Sequence, residues 1–265
     1  MKTILLGDCV KLAPEFQNES INLLVTSPPY AQQRAKQYGG IPIQEYPQWT
    51  VNWCNAYKNA LTPNGSIAIV IRTNIHKGQI SDYVLQTRLA LRQSGWIEAE
   101  ELIWIKPDSP PLGHIGRPRR AWENILWFSK SRKPFCDPHA NGTPSNRVGF
   151  ESVKGVGDYK CGTSPARQGI ARCRDYVEVG TGAVDKSPEN THPAQFPEKL
   201  AMWIIRLLCP KTGVVLDPFV GSGTTLSACE ELNQSENYNL KYHGIDMVEE
   251  YCKFAETRLE RKKDR

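Results

Sequence analysis

The sequence predicts an α/β fold built on a mostly parallel sheet. Three observations carry that expectation: short apolar runs that read as buried strands, amphipathic stretches at helical spacing between them, and glycine- or proline-bearing turns at the strand ends. TILL at 3–6 is an apolar run ending in Gly7-Asp8, and INLLVT at 21–26 is a buried strand ending at Ser27-Pro28-Pro29-Tyr30. TVNWCNAYKNAL at 50–61 has helical spacing and stops at Pro63-Asn64-Gly65, a turn signal. SIAIVI at 66–71 is a second apolar strand, and residues 80–93 are helical in period and end at Gly95. ELIWI at 101–105 and NILWF at 124–128 are two further strands, separated by a loop crowded with proline and glycine. FPEKLAMWIIRLLC at 196–209 is a strongly amphipathic helix. VVLD at 214–217, a glycine turn, a helix over TTLSACEEL, a strand at YHGID and a last helix from 248 follow.

Residues 131–190 differ: they hold eight glycines, scattered polar residues and weak periodicity, the marks of an irregular insert. The chain therefore divides into 1–130, an inserted 131–190 and 191–265. A length of 265 residues suffices for one sizeable core plus a smaller module. No apolar run reaches the roughly 18 residues of a membrane span. MKTILLGDCVKLAPEF lacks the apolar length and cleavage site of a signal peptide, so the expected location is cytoplasmic. Eight cysteines include no Cys-x-x-Cys pair and meet no histidine cluster, so free thiols and no metal site are expected. The net charge of +5 is mild, but residues 106–133 concentrate seven basic side chains against Asp108 and Glu123, a density that suits phosphate contact.

Two loops carry chemistry. In VVLDPFVGSGTT, 214–225, a buried strand gives way to a glycine turn that opens a helix and lets backbone approach a ligand. The last glycine of a dinucleotide fingerprint and the Gly-Lys-Ser/Thr of a triphosphate loop are both missing, so a nucleoside without phosphates fits better. Asp246 ends the next strand, 23 residues after Gly223, where an acidic residue accepts from ribose hydroxyls. The alternative is a cap for the helix that follows, and the glycine turn just upstream favours the ribose. In Thr26-Ser27-Pro28-Pro29-Tyr30, two prolines stiffen the backbone and leave carbonyls as acceptors. Ser27 adds a hydroxyl for an amine, and Tyr30 a ring for the base that carries it.

TSPPY and LDPFVGSGTT together resemble the DNA amino-methyltransferase family, in the class whose catalytic motif precedes its cofactor motif. TSPPY is similar to that family's catalytic tetrapeptide, and LDPFVGSGTT to its cofactor loop. HPAQFPEKLAMWIIRLL is similar to the helix leading into that loop, and Gly7-Asp8-Cys9 to the turn after a third sheet strand. The likeness covers roughly 1–130 and 191–260. It implies a Rossmann-like S-adenosylmethionine-dependent methyltransferase fold in permuted order, with catalytic and cofactor-binding halves flanking a target-recognition insert. Ser27, Pro28, Pro29 and Tyr30 would hold the target base. Asp217, Phe219, Gly221, Ser222, Gly223, Thr224 and Thr26 would line the cofactor cleft. Asp246 would hold the ribose, Asp8 the adenine amine, and His192, Pro193 and Phe196 the methionine end. The serine form, with WIKPDSPP and RPRRAWENILWFSK, resembles N4-cytosine enzymes more than N6-adenine enzymes, which remain the alternative. RNA or protein methylation are weaker alternatives. Arg117, Arg119, Arg120, Arg167, Arg172 and Arg174 would contact DNA. Duplex DNA is the implied partner, in a restriction–modification setting whose endonuclease forms no stable complex with the enzyme. Carbon-5 methylation needs a nucleophilic cysteine. Cys209-Pro210 has the wrong order for that motif and reads as a core cysteine.

Overall fold

A computed structural model describes residues 3–32, 40–76, 78–109, 116–145, 169–181 and 196–264. Arg167, His192, Pro193 and Cys161 lie outside the described residues. In chain order the main elements are β1 (Ile4–Leu6), α1 (Cys9–Leu12), β2 (Ile21–Thr26), α2 (Tyr46–Ala56) and β3 (Leu61–Ile71). Then come β4 (Ile75–His76), β5 (Gln79–Ile80), α3 (Tyr83–Gln93), β6 (Ile97–Ile105), β7 (Trp122–Ser129), β8 (Thr143–Pro144), β9 (Ile170–Ala171) and β10 (Tyr176–Glu178). The chain closes with α4 (Glu198–Leu208), β11 (Val214–Asp217), α5 (Thr224–Ser235), β12 (Lys241–Asp246) and α6 (Glu249–Lys263).

Eight strands form one mixed sheet in the order β1-β12-β11-β2-β3-β7-β6-β10. Every pairing is parallel except the two made by β7, which is antiparallel to β3 and to β6. The sheet is Rossmann-like and covered on both faces, and its strands alternate between two cores. On β3, Ile67, Ile69 and Ile71 face the cluster that includes Trp53, Cys54, Tyr83 and Leu91 of α2 and α3. Ala68 and Val70 face Leu200, Ile204, Leu208 and Cys229 of α4 and α5. Strands buried on both faces read as continuous apolar runs, which is why INLLVT and SIAIVI stand out in the sequence.

Several boundaries move. The helix expected at 50–61 spans Tyr46–Ala56, with Pro47 in its first turn, where a missing N–H costs nothing. Its apolar stripe of Tyr46, Pro47, Thr50, Val51, Trp53 and Cys54 is buried. Pro63-Asn64-Gly65 does not terminate an element. It lies inside β3, where the pairing with β2 jumps from Ile21↔Leu61 to Leu23↔Ser66, an irregularity of the bulge type. The β6 and β7 strands are longer than their apolar centres: β6 begins with the partly exposed residues 97–100, and β7 takes in the buried polar residues Glu123 and Ser129 at its ends.

Part of the 131–190 segment joins the main sheet. Tyr176–Glu178 pairs in parallel with Ile103–Ile105, and Val179 is buried with Trp104, whose indole N–H donates to the Val179 carbonyl at 2.8 Å. Trp104 is therefore core, whereas Trp122 is 53% exposed. The seven cysteines among the described residues are unpaired, and Cys209 is buried. Among the described residues no helix is long and apolar enough to cross a membrane.

Candidate active site

With β7 alone reversed, the C-terminal ends of the other seven strands and the start of β7 share one edge of the sheet. Ligands of open α/β sheets bind outside such carboxyl ends, where the connections diverge to opposite faces. At the centre of this edge β11 and β2 are hydrogen-bonded neighbours, paired Val215↔Leu23 and Leu216↔Leu24. The glycine turn and the Ser-Pro-Pro-Tyr segment, each continuing one of these strands, are thereby brought side by side.

The glycine turn is built for a tight reversal. Gly221 has φ of 49° and Gly223 of 77°, values that favour glycine, and Gly223 opens α5. Asp217 is buried at its root. One carboxylate oxygen accepts the Phe219 N–H at 3.1 Å, and the other accepts the Thr225 hydroxyl at 2.6 Å. Burial pushes the Asp217 carboxyl up to about 6 against the pull of these hydrogen bonds. Thr26 Oγ1, also buried, lies beside that carboxylate without a hydrogen bond of normal geometry. From the next strand, Asp246 accepts the Gly221 N–H with one oxygen and the Val248 N–H with the other, both at 2.9 Å. Asp246 thus braces the turn and the start of α6 together, and burial raises its carboxyl above the usual range. Asp8 stands one strand over, since Leu6 pairs with Asp246, and caps α1 by accepting from Val10 and Lys11.

Phe219 packs its ring against Trp49 at 5.3 Å and Trp53 at 5.4 Å, centroid to centroid. Ser222 and Thr224 are buried rather than open, with their hydroxyls 3.4 Å apart. Arg258 of α6 donates to the Ser222 carbonyl and to Thr224 Oγ1. The same Arg258 reaches Glu198 at the start of α4, and Glu198 also accepts from Ser227 and Lys262. Burial alone would raise the Glu198 carboxyl, but hydrogen bonds from Lys262 and Ser227 and the nearby charges of Lys262 and Arg258 outweigh it and leave it below its ordinary 4.5. A depressed carboxyl stabilises the fold above its unfolded value, and the gain is lost as pH falls. Glu198→Gln is accordingly expected to cost about 1–3 kcal/mol at neutral pH. Thermal melts of the two proteins should converge as pH drops below 4.5.

On the neighbouring strand, Pro28 is buried and Ser27, Pro29 and Tyr30 are half-buried. The Tyr30 hydroxyl donates to Glu123 Oε2 at 2.5 Å and interacts with the Ser27 hydroxyl. Burial, then the Glu123 charge, pushes the Tyr30 phenol well above its usual range. Glu123 also pairs with Lys106, which lies 4.1 Å above the Trp104 ring, and both members of the pair are buried. Just after β3, Arg72 Nε and Asn74 Oδ1 are buried without hydrogen-bond partners among the described residues. In the sequence Lys106 and Glu123 stand out only as charges, and Arg72 and Asn74 carry no signal. A charged residue closing ELIWIK or opening WENILWF was the available signal.

The remaining expected residues divide by role. Phe196 is buried in the core with Leu200 and Trp203. Arg120 is held by Thr73, donating to its carbonyl and hydroxyl, and so braces the loop. Arg117 and Arg119 are exposed, each with one nitrogen on a backbone carbonyl, of Gly78 and Ser109 respectively. Arg172 is exposed, and Arg174 is exposed and stacked on Tyr176. Among the described residues no group of histidine, cysteine and carboxylate side chains could hold a metal ion. A nucleoside fits the edge on the chemistry of its donors. Asp8 and Asp246 retain acceptor lone pairs after their anchoring bonds, and Asp246 is bonded to the glycine turn itself.

A family profile described as DNA methylase matches residues 21–257. The type II methyltransferase M.PvuII of Proteus hauseri is 27% identical over 93% of this chain and 80% of its own length. M.ScaI of Streptomyces caespitosus is 28% identical over 96% and 80%. Among solved structures, the PvuII DNA methyltransferase, described as cytosine-N4-specific, superposes with a TM-score of 0.73 at 24% identity, over 98% of this chain and 89% of that one. The complex of M1.HpyAVI with SAM superposes at 0.63 and 21% identity, over 98% and 99%.

Proposed function

We propose, from the premise that the chain belongs to the DNA methylase family, that it transfers a methyl group from S-adenosylmethionine to the exocyclic N4 of a cytosine flipped out of duplex DNA. The observation that carries this reading is the adjacency of β11 and β2, which sets a nucleoside-accepting glycine turn beside a Ser-Pro-Pro-Tyr segment. The catalytic segment precedes the cofactor turn along the chain, consistent with the permuted order. The serine at position 27 and the cytosine-N4-specific description of one structural relative support cytosine over adenine.

The residues that would hold the cofactor are Asp246 at the ribose, Asp8 at the adenine amine and the Phe219–Gly223 turn, with His192 toward the methionine end. When bound, the cofactor supplies an electrophilic methyl on a sulfonium, which needs no further activation as a leaving group. The protein's task is to present the amine. That nitrogen is a poor nucleophile while its lone pair is delocalised into the ring. Hydrogen bonds to Ser27 Oγ and the Pro28 carbonyl hold it in a more tetrahedral geometry, and the fixed Tyr30 ring lies against the base. Ser27 is a weak base, so it orients the amine, and the proton leaves once nitrogen has become cationic. Much of the rate comes from orientation. Duplex binding falls to the basic loop with Arg117 and Arg119 and to the 131–190 insert with Arg167, Arg172 and Arg174. A separate restriction endonuclease that forms no stable complex completes the setting.

The test is transfer of labelled methyl from S-adenosylmethionine to mixed-sequence duplex DNA, followed by nucleoside mass analysis. N4-methylcytosine is the expected product. N6-methyladenine would overturn the base assignment and keep the site. Cofactor binding with label only in RNA or protein would overturn the substrate.

A further inference from the structure

We infer that Lys106 and Glu123 are positioning residues for the transfer: as a buried pair they clamp the Tyr30 hydroxyl, and through it Ser27, holding the base-binding segment in its reactive shape. The inference rests on the methyl-transfer reading above. Its first support is connectivity. Glu123 divides its carboxylate between two partners, Oε1 to Lys106 and Oε2 to Tyr30 at 2.5 Å, and the Tyr30 hydroxyl also meets Ser27. An unbroken chain therefore runs from β6 through β7 to the loop after β2.

The second support is cost. Lys106 and Glu123 are 7% and 5% exposed. Burying an ion pair takes both charges out of water, and apolar residues of similar volume serve stability as well or better. A pair kept here, at the one edge where the two functional loops meet, is better explained by what it holds than by packing. The third support is rigidity. Lys106 is fixed from below by the Trp104 ring, and the Trp104 indole is fixed by Val179. Arg120 and the Tyr83 phenol also face Glu123, and Arg72 lies beside Lys106. A carboxylate in such a setting has little freedom to turn, so the Tyr30 ring, with Ser27 beside its hydroxyl, inherits a fixed direction.

The experiment is steady-state methyl transfer by Tyr30→Phe, the charge-neutral double variant Lys106→Met/Glu123→Gln, and the triple variant. Glu123→Gln alone leaves a buried lysine without its counter-charge and destabilises the fold for that reason; Tyr30→Phe keeps the pair intact. The expected result is a fall in kcat of roughly 10- to 100-fold in Tyr30→Phe and in the double variant. KM for DNA and cofactor should stay within about twofold. The triple variant should be no slower than the slower of the two, because residues acting as one unit do not add. Unchanged kcat, losses confined to KM, or fully multiplicative losses in the triple variant would each overturn the clamp while wild-type activity stands. A wild type that transfers no methyl to DNA would overturn the parent reading, and the clamp with it.

Discussion

Ser27→Ala is expected to slow single-turnover methyl transfer by about 100-fold or more, the scale on which losing an orienting contact acts, while S-adenosylmethionine binds as before. The separation of the two effects follows from the architecture. Ser27 continues β2, whereas the carboxylates and glycine turn proposed to accept the nucleoside lie at the ends of β1, β12 and β11. The backbone of the catalytic segment is stiffened by Pro28 and Pro29, so removing one hydroxyl leaves its course intact. What is lost is the acceptor proposed to hold the amine and one partner of the Tyr30 hydroxyl. Rapid-quench transfer from labelled cofactor reads the rate, and equilibrium binding reads the cofactor. A rate equal to wild type would remove Ser27 from the reaction, and weakened cofactor binding would move it to the other loop.

Gly223→Val is expected to lower stability by about 2–5 kcal/mol. Two terms add. At φ of 77° a side chain costs roughly 1–2 kcal/mol. A Cβ there would also stand 2.9 Å from Ala255 Cβ and 3.1 Å from Ala255 Cα, a backbone atom of α6 that cannot turn aside. Overpacking of this kind costs about 1–3 kcal/mol. For a chain of this size the sum corresponds to a fall in Tm of roughly 5–15 °C, readable by calorimetry. Because Asp246 and Arg258 both anchor this turn, cofactor affinity should fall with it. Adding Ala255→Gly should recover part of the loss by relieving the clash, and the remainder measures the backbone term. Full recovery would show that the positive φ carries no cost.

These expectations draw unequally on sequence and structure. The strands at 21–26 and 214–217 were legible to the residue, because runs buried on both faces end abruptly in proline or glycine. The seating of the two loops side by side was legible only through the family resemblance, since pairing between segments so far apart leaves no local trace. Strand β10 was illegible for another reason. Three residues, Tyr-Val-Glu, are too few to display a period, and they become a strand only because β6 offers an edge. The dual burden of Asp246 was half visible: its place at a strand end suggested either ligand contact or capping, and it does brace backbone N–H groups on two sides. Glu123 and Lys106 were hidden because their meaning lies in a partner 93 residues from Glu123, the Tyr30 hydroxyl.

The pairing of β2 with β11 also bears on how the chain reaches its native state. Asn22 accepts the Val214 N–H across 192 residues of sequence, so the two central strands are separated by most of the protein. During synthesis the early strand emerges long before its neighbour exists. Until then INLLVT presents an unpaired apolar edge of the kind that recruits other chains. Closing so long a loop before any contact repays it makes folding slow. The protein should therefore gain its activity only after the last quarter of the chain has been made, and its refolding yield should fall steeply with concentration.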